Sequence, residues 1–412
     1  MAEANRRPWT IIASLIAIQF FIAGPIISTF TVFFSPLMKE FAWTHAQVSR
    51  TATSYQLVAG LSAPLVGWLL DRIKVQWLMT VGAAMVGAGF LLASETHSLN
   101  GIVAMYGLIG LGVSASTALP GLLVATNWFE RRGTAIGVML CGMSAGMVFA
   151  PMIVSHLILV HGWRMAMRAI ALPILGITIP VMLLFIRTKP GFKRRPTAEE
   201  IAGVPGLEYT VAIRTSAFWC MMGIELFYGV TFGAVYFHIV PYLIHIGFGP
   251  QTAATIFGLQ AALSGVGWVL NGMACDRFSA KYVLQVLLGL LATSVFGLLG
   301  AKFNIAFISL FLAFWAASAG ATGPTLPLLV HQNLGMRRFG SIMGTLFLTR
   351  AIAGAIAPVL SGMLVDWTGG YALSFELAIA CVAATAVCTG FIFPAKGHDQ
   401  IPEMAVAQAA AS

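Results

Sequence analysis

Two charged residues stand where the chain offers them no water. Arg350 lies in the run 337–358, RRFGSIMGTLFLTRAIAGAIAP, twelve residues past Arg338, which is ~18 Å along a helix at about 1.5 Å per residue. Glu225 lies eleven residues past Arg214 in a second apolar run, ~16 Å by the same rise. Both depths fall near the middle of a hydrocarbon layer ~30 Å thick. A charge there costs at least ~2.5–3.5 kcal/mol and persists only against a partner or a water-filled cavity. A guanidinium keeps its charge at any relevant pH and grips a carboxylate through two parallel hydrogen bonds, so Arg350 is a candidate anchor for an anion. The competing explanation is a structural ion pair. Glu225 is a candidate proton carrier that Arg350 would hold ionised until an incoming anion takes its place; a permanent Glu225–Arg350 pair is the alternative. His238 on the same run could relay the proton. The uncharged polar residues Gln19, Tyr55, Tyr228 and Gln260 could complete a binding pocket, although such groups are more often interhelical hydrogen-bonding or packing residues than ligand contacts.

The elements that must position these residues are membrane helices. Of 412 residues, 58% are hydrophobic and 9% charged, against about 25% charged in soluble domains. Twelve apolar spans can be read, at about 8–36, 46–70, 77–96, 99–127, 134–159, 163–187, 215–246, 250–274, 281–301, 303–331, 340–365 and 370–394. The expectation is an all-α membrane protein with a six-helix bundle at 1–187, a linker at 188–213, a second six-helix bundle at 214–396 and a mobile tail at 397–412. The net charge of +9 would suggest nucleic acid in a soluble protein. Here seventeen of the 23 Lys and Arg fall on one side of the alternating loops and four on the other, a positive-inside pattern that places both termini in the cytoplasm. The first apolar run is followed at once by further spans, so no cleavable signal is expected. The five cysteines lie in apolar spans without metal-ligand spacing. No cluster has zinc spacing. No glycine-rich run ends in Lys-Ser or Lys-Thr, so no phosphate loop is present. Neither an enzyme nor a cofactor or metal is expected.

The two halves repeat. Gly67 and Asp71-Arg72 close the second span as Gly272 and Asp276-Arg277 close the eighth, 205 residues on. Arg131-Arg132 and Gly133 open the fifth as Arg337-Arg338 and Gly340 open the eleventh. Two parallel repeats imply a pseudo-two-fold axis along the membrane normal, with a central site between the halves. In this register Arg350 falls opposite Met143, so the arginine breaks the internal symmetry.

Twelve spans in two repeats with a paired Gly-x-x-x-Asp-Arg turn resemble the major facilitator superfamily over nearly the whole chain. Within it, Asn127-Trp128-Phe129-Glu130-Arg131-Arg132-Gly133 leading to Gly137, Gly142 and Gly146 is similar to the fifth-helix signature of the monocarboxylate porters and the oxalate/formate antiporter-like group. The acidic-Gly signature of the first helix is absent, and the eighth span carries no cation. An eleventh-helix cation occurs in the oxalate/formate-like group, and Arg350 sits at that kind of position. The resemblance implies a secondary active transporter working by alternating access, in a bacterial inner membrane and as a monomer. The expected cargo is a small organic monocarboxylate moving with a proton. Arg350, Gln19, Tyr55, Gln260 and Tyr228 would bind substrate, and Glu225 and His238 would couple the proton. It further implies that Asp71, Arg72, Arg131, Arg132, Asp276 and Arg277 form the inner gate. An organic anion exchanger without a proton step is the alternative, with a drug or cation efflux pump behind it.

Overall fold

The computed structural model describes residues 2–43, 45–186, 206–318 and 320–392. The first span is α1 (Ala2–Ile18), a π turn (Gln19–Ala23) and α2 (Gly24–Phe41). The π turn sits just before Pro25. A proline lacks the N–H that would continue the ladder, and the Gly24 N–H reaches five residues back to the Gln19 carbonyl. The same device precedes Pro180, where the Ile179 N–H reaches Ile174. The second and third spans are α3 (His45–Leu70) and α4 (Val75–Glu95). The fourth is broken into α5 (Leu99–Ser116) and α6 (Ala118–Trp128) at Thr117.

The fifth and sixth spans follow without a loop between them, as α7 (Arg132–Pro173), a π turn and α8 (Ile179–Phe185). They are two spans, because Gly162 at φ 82° cannot be helical and Leu157 and Ile170 line one crevice on either side of it. After the short α9 (Tyr209–Ala212) come α10 (Ser216–His245), α11 (Pro250–Arg277) and α12 (Ala280–Gly300). The tenth span is again broken, into α13 (Ala306–Ser318) and α14 (Thr322–Asn333), and α15 (Phe339–Thr368) and α16 (Ala372–Gly390) close the chain.

Among the described residues, ten helices are long and apolar enough to cross a membrane. The double span at Gly162 accounts for an eleventh crossing. The twelfth is α3, which is 26 residues long and more polar than the rest because it carries Arg50, Tyr55 and Gln56. The breaks in the fourth and tenth spans are repeat mates. Pro120 and Pro324 stand four residues past Ser116 and Gly320, so the carbonyls at those two positions lose their helical donors.

The halves meet through α3 against α15 and α7 against α11. Glycines make this possible: a Cβ on Gly67 would collide with the Gly340 carbonyl, and one on Gly272 with the Gly133 carbonyl. Contact continues to Gly60 against Ala351, and to Gly265 against Ser144, whose hydroxyl donates to the Ala261 carbonyl. Farther from the basic end the halves part, and a side chain at Gly258 or Gly354 would meet nothing within 4 Å. Of the expected linker, the described part begins at Gly206; residues 187–205 and the tail lie outside the described residues.

Candidate functional site

The cavity left between the halves begins where they part. Its larger lobe, about 450 Å³, is walled by Phe30, Tyr55, Tyr106, Phe237 and Phe347, among others. The second, about 250 Å³, runs between Met143, Met147, Gln260, Trp268 and Trp315. Arg350 lines both lobes. Its repeat mate Met143 stands in the opposite wall, so the broken symmetry places one cation in an otherwise apolar chamber.

Arg350 and Glu225 form a bidentate pair. Nε donates to Oε2 at 2.5 Å and Nη2 to Oε1 at 2.7 Å, so the carboxylate occupies one edge of the guanidinium fork. Nη2 also donates to the hydroxyl of Thr322, the first residue of α14. The helix break brings this hydroxyl to the pair. The rings of Tyr228 and Phe347 lie 5.4 and 5.9 Å from the guanidinium carbon, within the range of a cation–π attraction. Nη1 has no hydrogen bond among the described residues. Access is one-sided: the Glu225 side chain is 0% exposed and that of Arg350 35%. The carboxylate therefore sits behind the arginine, and a solute in the cavity meets the cation.

Tyr55, Tyr228 and Gln260 line the cavity as expected from the sequence. Gln19 and His238 do not. Gln19 is buried within the first half, at the π turn beside Gly121. His238 donates through Nε2 to the Pro358 carbonyl at 3.0 Å and packs beside Tyr371. It lies thirteen residues, or roughly 20 Å of helix, from Glu225. Its partner is the kinked backbone of α15 rather than the charged pair. Sequence reasoning did not single out Thr322, Trp268 or Trp315. The run 318–324, SAGATGP, was a legible signal, since a proline- and glycine-interrupted apolar span marks a substrate region in transporters.

At the basic end Asp71 accepts from the N–H groups of Gly340 and Ser341 at 3.0 Å each and from the Ser341 hydroxyl. It thereby caps α15 across the interface. Asp276 does the same for α7, accepting from Gly133 at 2.7 Å and Thr134 at 2.8 Å. An acid at a helix N-terminus satisfies orphan donors and complements the helix dipole. Of the four arginines expected to bridge the halves, only Arg132 reaches across, to the ring of His331. Arg72 lies back on its own Trp68, 3.9 Å from the ring centre, while Arg131 and Arg277 are exposed. A further basic-end clamp ties the linker to α15, within the second half. Glu208 pairs with Arg338 at 2.8 Å and Arg337 at 3.0 Å, and the Leu207 N–H donates to the Leu334 carbonyl. The Arg338 hydrogen bond, with the charge of Arg337 behind it, holds the Glu208 carboxyl below its ordinary value against a burial effect of opposite sign. At the far end Glu40 pairs with Arg164, both within the first half, so this pair does not tie the halves together.

Comparison with known proteins agrees with this architecture. The family model of the Major Facilitator Superfamily matches residues 15–358. Monocarboxylate transporter 7 of Homo sapiens is 25% identical, over 94% of this chain and 86% of that protein. Monocarboxylate transporter 13 of Rattus norvegicus is 26% identical, over 91% and 86%. The transporter YcxA of Bacillus subtilis is 22% identical, over 87% and 89%. Among solved structures the transporter FucP in its outward conformation superposes with a TM-score of 0.71 at 16% identity, covering 92% of this chain and 98% of that one. Twelve spans in two repeats, the glycine-lined interface and this match over most of the chain make the protein a multi-pass membrane transporter, not an enzyme, that belongs to the major facilitator superfamily.

Proposed function

We propose that the protein is a secondary active transporter that carries an organic monocarboxylate together with a proton. The observation that carries this reading is the one-sided Arg350–Glu225 pair: a cation open to the cavity, backed by a carboxylate sealed from it. An incoming carboxylate lands on the free Nη1 side of the guanidinium. Two carboxylates on one guanidinium in a dry site cannot both stay ionised, so the bound anion draws in a proton that Glu225 carries. Empty, the pair sums to zero charge; with anion and proton bound it again sums to zero. A site holding only one of the two is charged, and a net charge crosses hydrocarbon at a cost, so only the empty and fully loaded forms rock between the two faces. The named relatives among the monocarboxylate transporters support the substrate class, and the single cation argues for a single carboxylate. With the basic end in the cytoplasm of a bacterial inner membrane, the form described here is open to the outside.

The test is uptake into proteoliposomes of a labelled monocarboxylate panel running from acetate and lactate to 3-phenylpropionate, with acid outside and no internal anion. Accumulation of a panel member, abolished by Arg350→Ala in protein that still folds and inserts, is the expected result. Undiminished transport by Arg350→Ala sinks the anchor assignment. Uptake that requires internal counter-anion and ignores the pH gradient indicates exchange instead of symport.

A further inference from the structure

The cavity is large for a carboxylate of two or three carbons, and its walls are flat. Starting beside Arg350, the face of α10 presents Tyr228, Phe232 and Tyr236 at four-residue spacing, one above the next on the helix. Phe232 stacks on Tyr236 with centroids 5.0 Å apart and planes 16° apart, and on Tyr228 at 6.4 Å and 24°. Trp315 closes on Phe232 at 6.1 Å. Such a ladder offers ring faces to a planar guest, and aromatic pairs favour offset stacking. A two- or three-carbon acid held on Arg350 would leave this apolar surface wet. The larger lobe, about 450 Å³, falls in the range of sites that enclose ligands of drug size, about 300–1,000 Å³, and the smaller adds about 250 Å³ beside it.

Two polar atoms in the smaller lobe are orphans. Gln260 is 2% exposed and Trp268 8%, and neither Gln260 Oε1 nor Trp268 Nε1 has a hydrogen-bond partner. A buried polar atom left unmade costs its desolvation, and native proteins seldom leave such atoms without a partner. Both side chains line the same lobe as Arg350 and the aromatic ladder. As the side chains stand both atoms are closed off, Trp268 Nε1 against Gly320, so a guest that partners them does so by turning these side chains toward it. Trp268 donates, and the Gln260 amide can both donate and accept, so a hydroxyl on the guest can satisfy the two together.

Building on the carboxylate reading above, we infer that the substrate is an aromatic monocarboxylate with a hydroxyl on its ring or side chain. The carboxylate sits on Arg350, the ring against Phe232 and Tyr236, and the hydroxyl between Gln260 and Trp268. This makes Gln260 and Trp268 specificity-determining residues for that hydroxyl.

The full-length protein purified in detergent tests this by thermal shift, since a ligand that binds the folded state raises its apparent stability. The probes are acetate, lactate, 3-phenylpropionate and 3-(4-hydroxyphenyl)propionate. The aryl acids are expected to stabilise the protein at concentrations where acetate and lactate do nothing. The hydroxylated acid should bind about five- to tenfold more tightly than its parent, the worth of one hydrogen bond in a dry site. Gln260→Leu should erase that preference, read as the ratio of the two affinities, and Trp268→Phe, which keeps the ring and removes the N–H, should reduce it. The unligated melting temperatures report whether each variant folds, and a failure of one leaves the other to decide. If acetate or lactate stabilises as well as the aryl acids, or if both folded variants keep the hydroxyl preference, the inference is overturned and the monocarboxylate reading stands. If no carboxylate binds wild type and Arg350→Ala changes nothing, both fall together.

Discussion

At the scale of single residues, the site turns on which edge of one guanidinium is occupied. Glu225 takes the Nε–Nη2 edge in bidentate geometry, and Thr322 takes the remaining Nη2 hydrogen. On the proposed reading, a substrate carboxylate has to share the cation with a buried carboxylate. Removing the charge of that carboxylate while keeping its shape separates binding from coupling. In Glu225→Gln the amide oxygen still accepts from Arg350, and the cavity face of the arginine stays solvated. Anion affinity is expected to rise about tenfold or more, because a competing charge-assisted partner worth ~1.5–3 kcal/mol is weakened. Net uptake driven by a pH gradient should disappear, while exchange of labelled for unlabelled anion continues. Binding titration and paired uptake and exchange assays on the same proteoliposomes check this. A Glu225→Gln protein that still accumulates anion from a pH gradient would remove Glu225 from the proton path.

At the scale of elements, the sequence held the helices and the pair but not the contacts that lock them. Span number, the two repeats and the depths of Arg350 and Glu225 follow from hydropathy and helical rise, which are local properties. The place of Asp71 and Asp276 at the inner gate follows from the family resemblance, in a motif that the repeat writes twice. His238 read as a relay because its type fits and it shares α10 with Glu225, but it lies roughly 20 Å from Glu225 along that helix and is rotated toward the Pro358 carbonyl. Nothing in a linear pattern fixes that rotation when α10 is apolar nearly all round. The basic-end lock was misassigned for a similar reason. Arg72, Arg131 and Arg277 have the right charge and position but do not reach across; Asp71 crosses to the N–H groups at the mouth of α15, and the Arg337 and Arg338 side chains there are taken by Glu208 of the linker. That clamp carries a pH dependence whose sign follows from linkage. The carboxyl of Glu208 is held below its ordinary value by Arg338 and Arg337, so the ionised form favours the clamped state. The contribution is complete above the ordinary carboxylate value of 4.5 and is lost as the pH falls through the lowered one. Hydrogen-exchange protection of residues 206–213, with the intrinsic pH dependence of exchange divided out, should be constant from neutral pH to about 5 and fall only in stronger acid. Glu208→Gln should lose that protection already at neutral pH. Wild-type protection in the variant at neutral pH would show that Glu208 does not hold the linker down.

At the scale of the whole molecule, the two repeats supply a symmetric rocker and the site supplies an asymmetric charge. The glycine rows and the two aspartate caps are duplicated across the pseudo-axis, so closure at the basic end is stabilised equally by both halves and carries no preference for cargo. Arg350 and Glu225 lie on α15 and α10 of the second half alone, opposite Met143 of the first. The rocking step thus moves a site whose net charge depends only on what is bound. Because that charge is zero both empty and fully loaded, transport should respond to a pH gradient and not to the membrane potential. The distinction is large enough to measure. Moving one elementary charge through 100 mV is worth about 2.3 kcal/mol, about fiftyfold in the accumulation ratio. A potassium diffusion potential of either sign, set with valinomycin at fixed pH gradient, should therefore leave anion accumulation in proteoliposomes essentially unchanged. A fiftyfold response would mean that the loaded site crosses with a charge, that Glu225 does not carry a proton in step with the anion, and that another group balances the substrate.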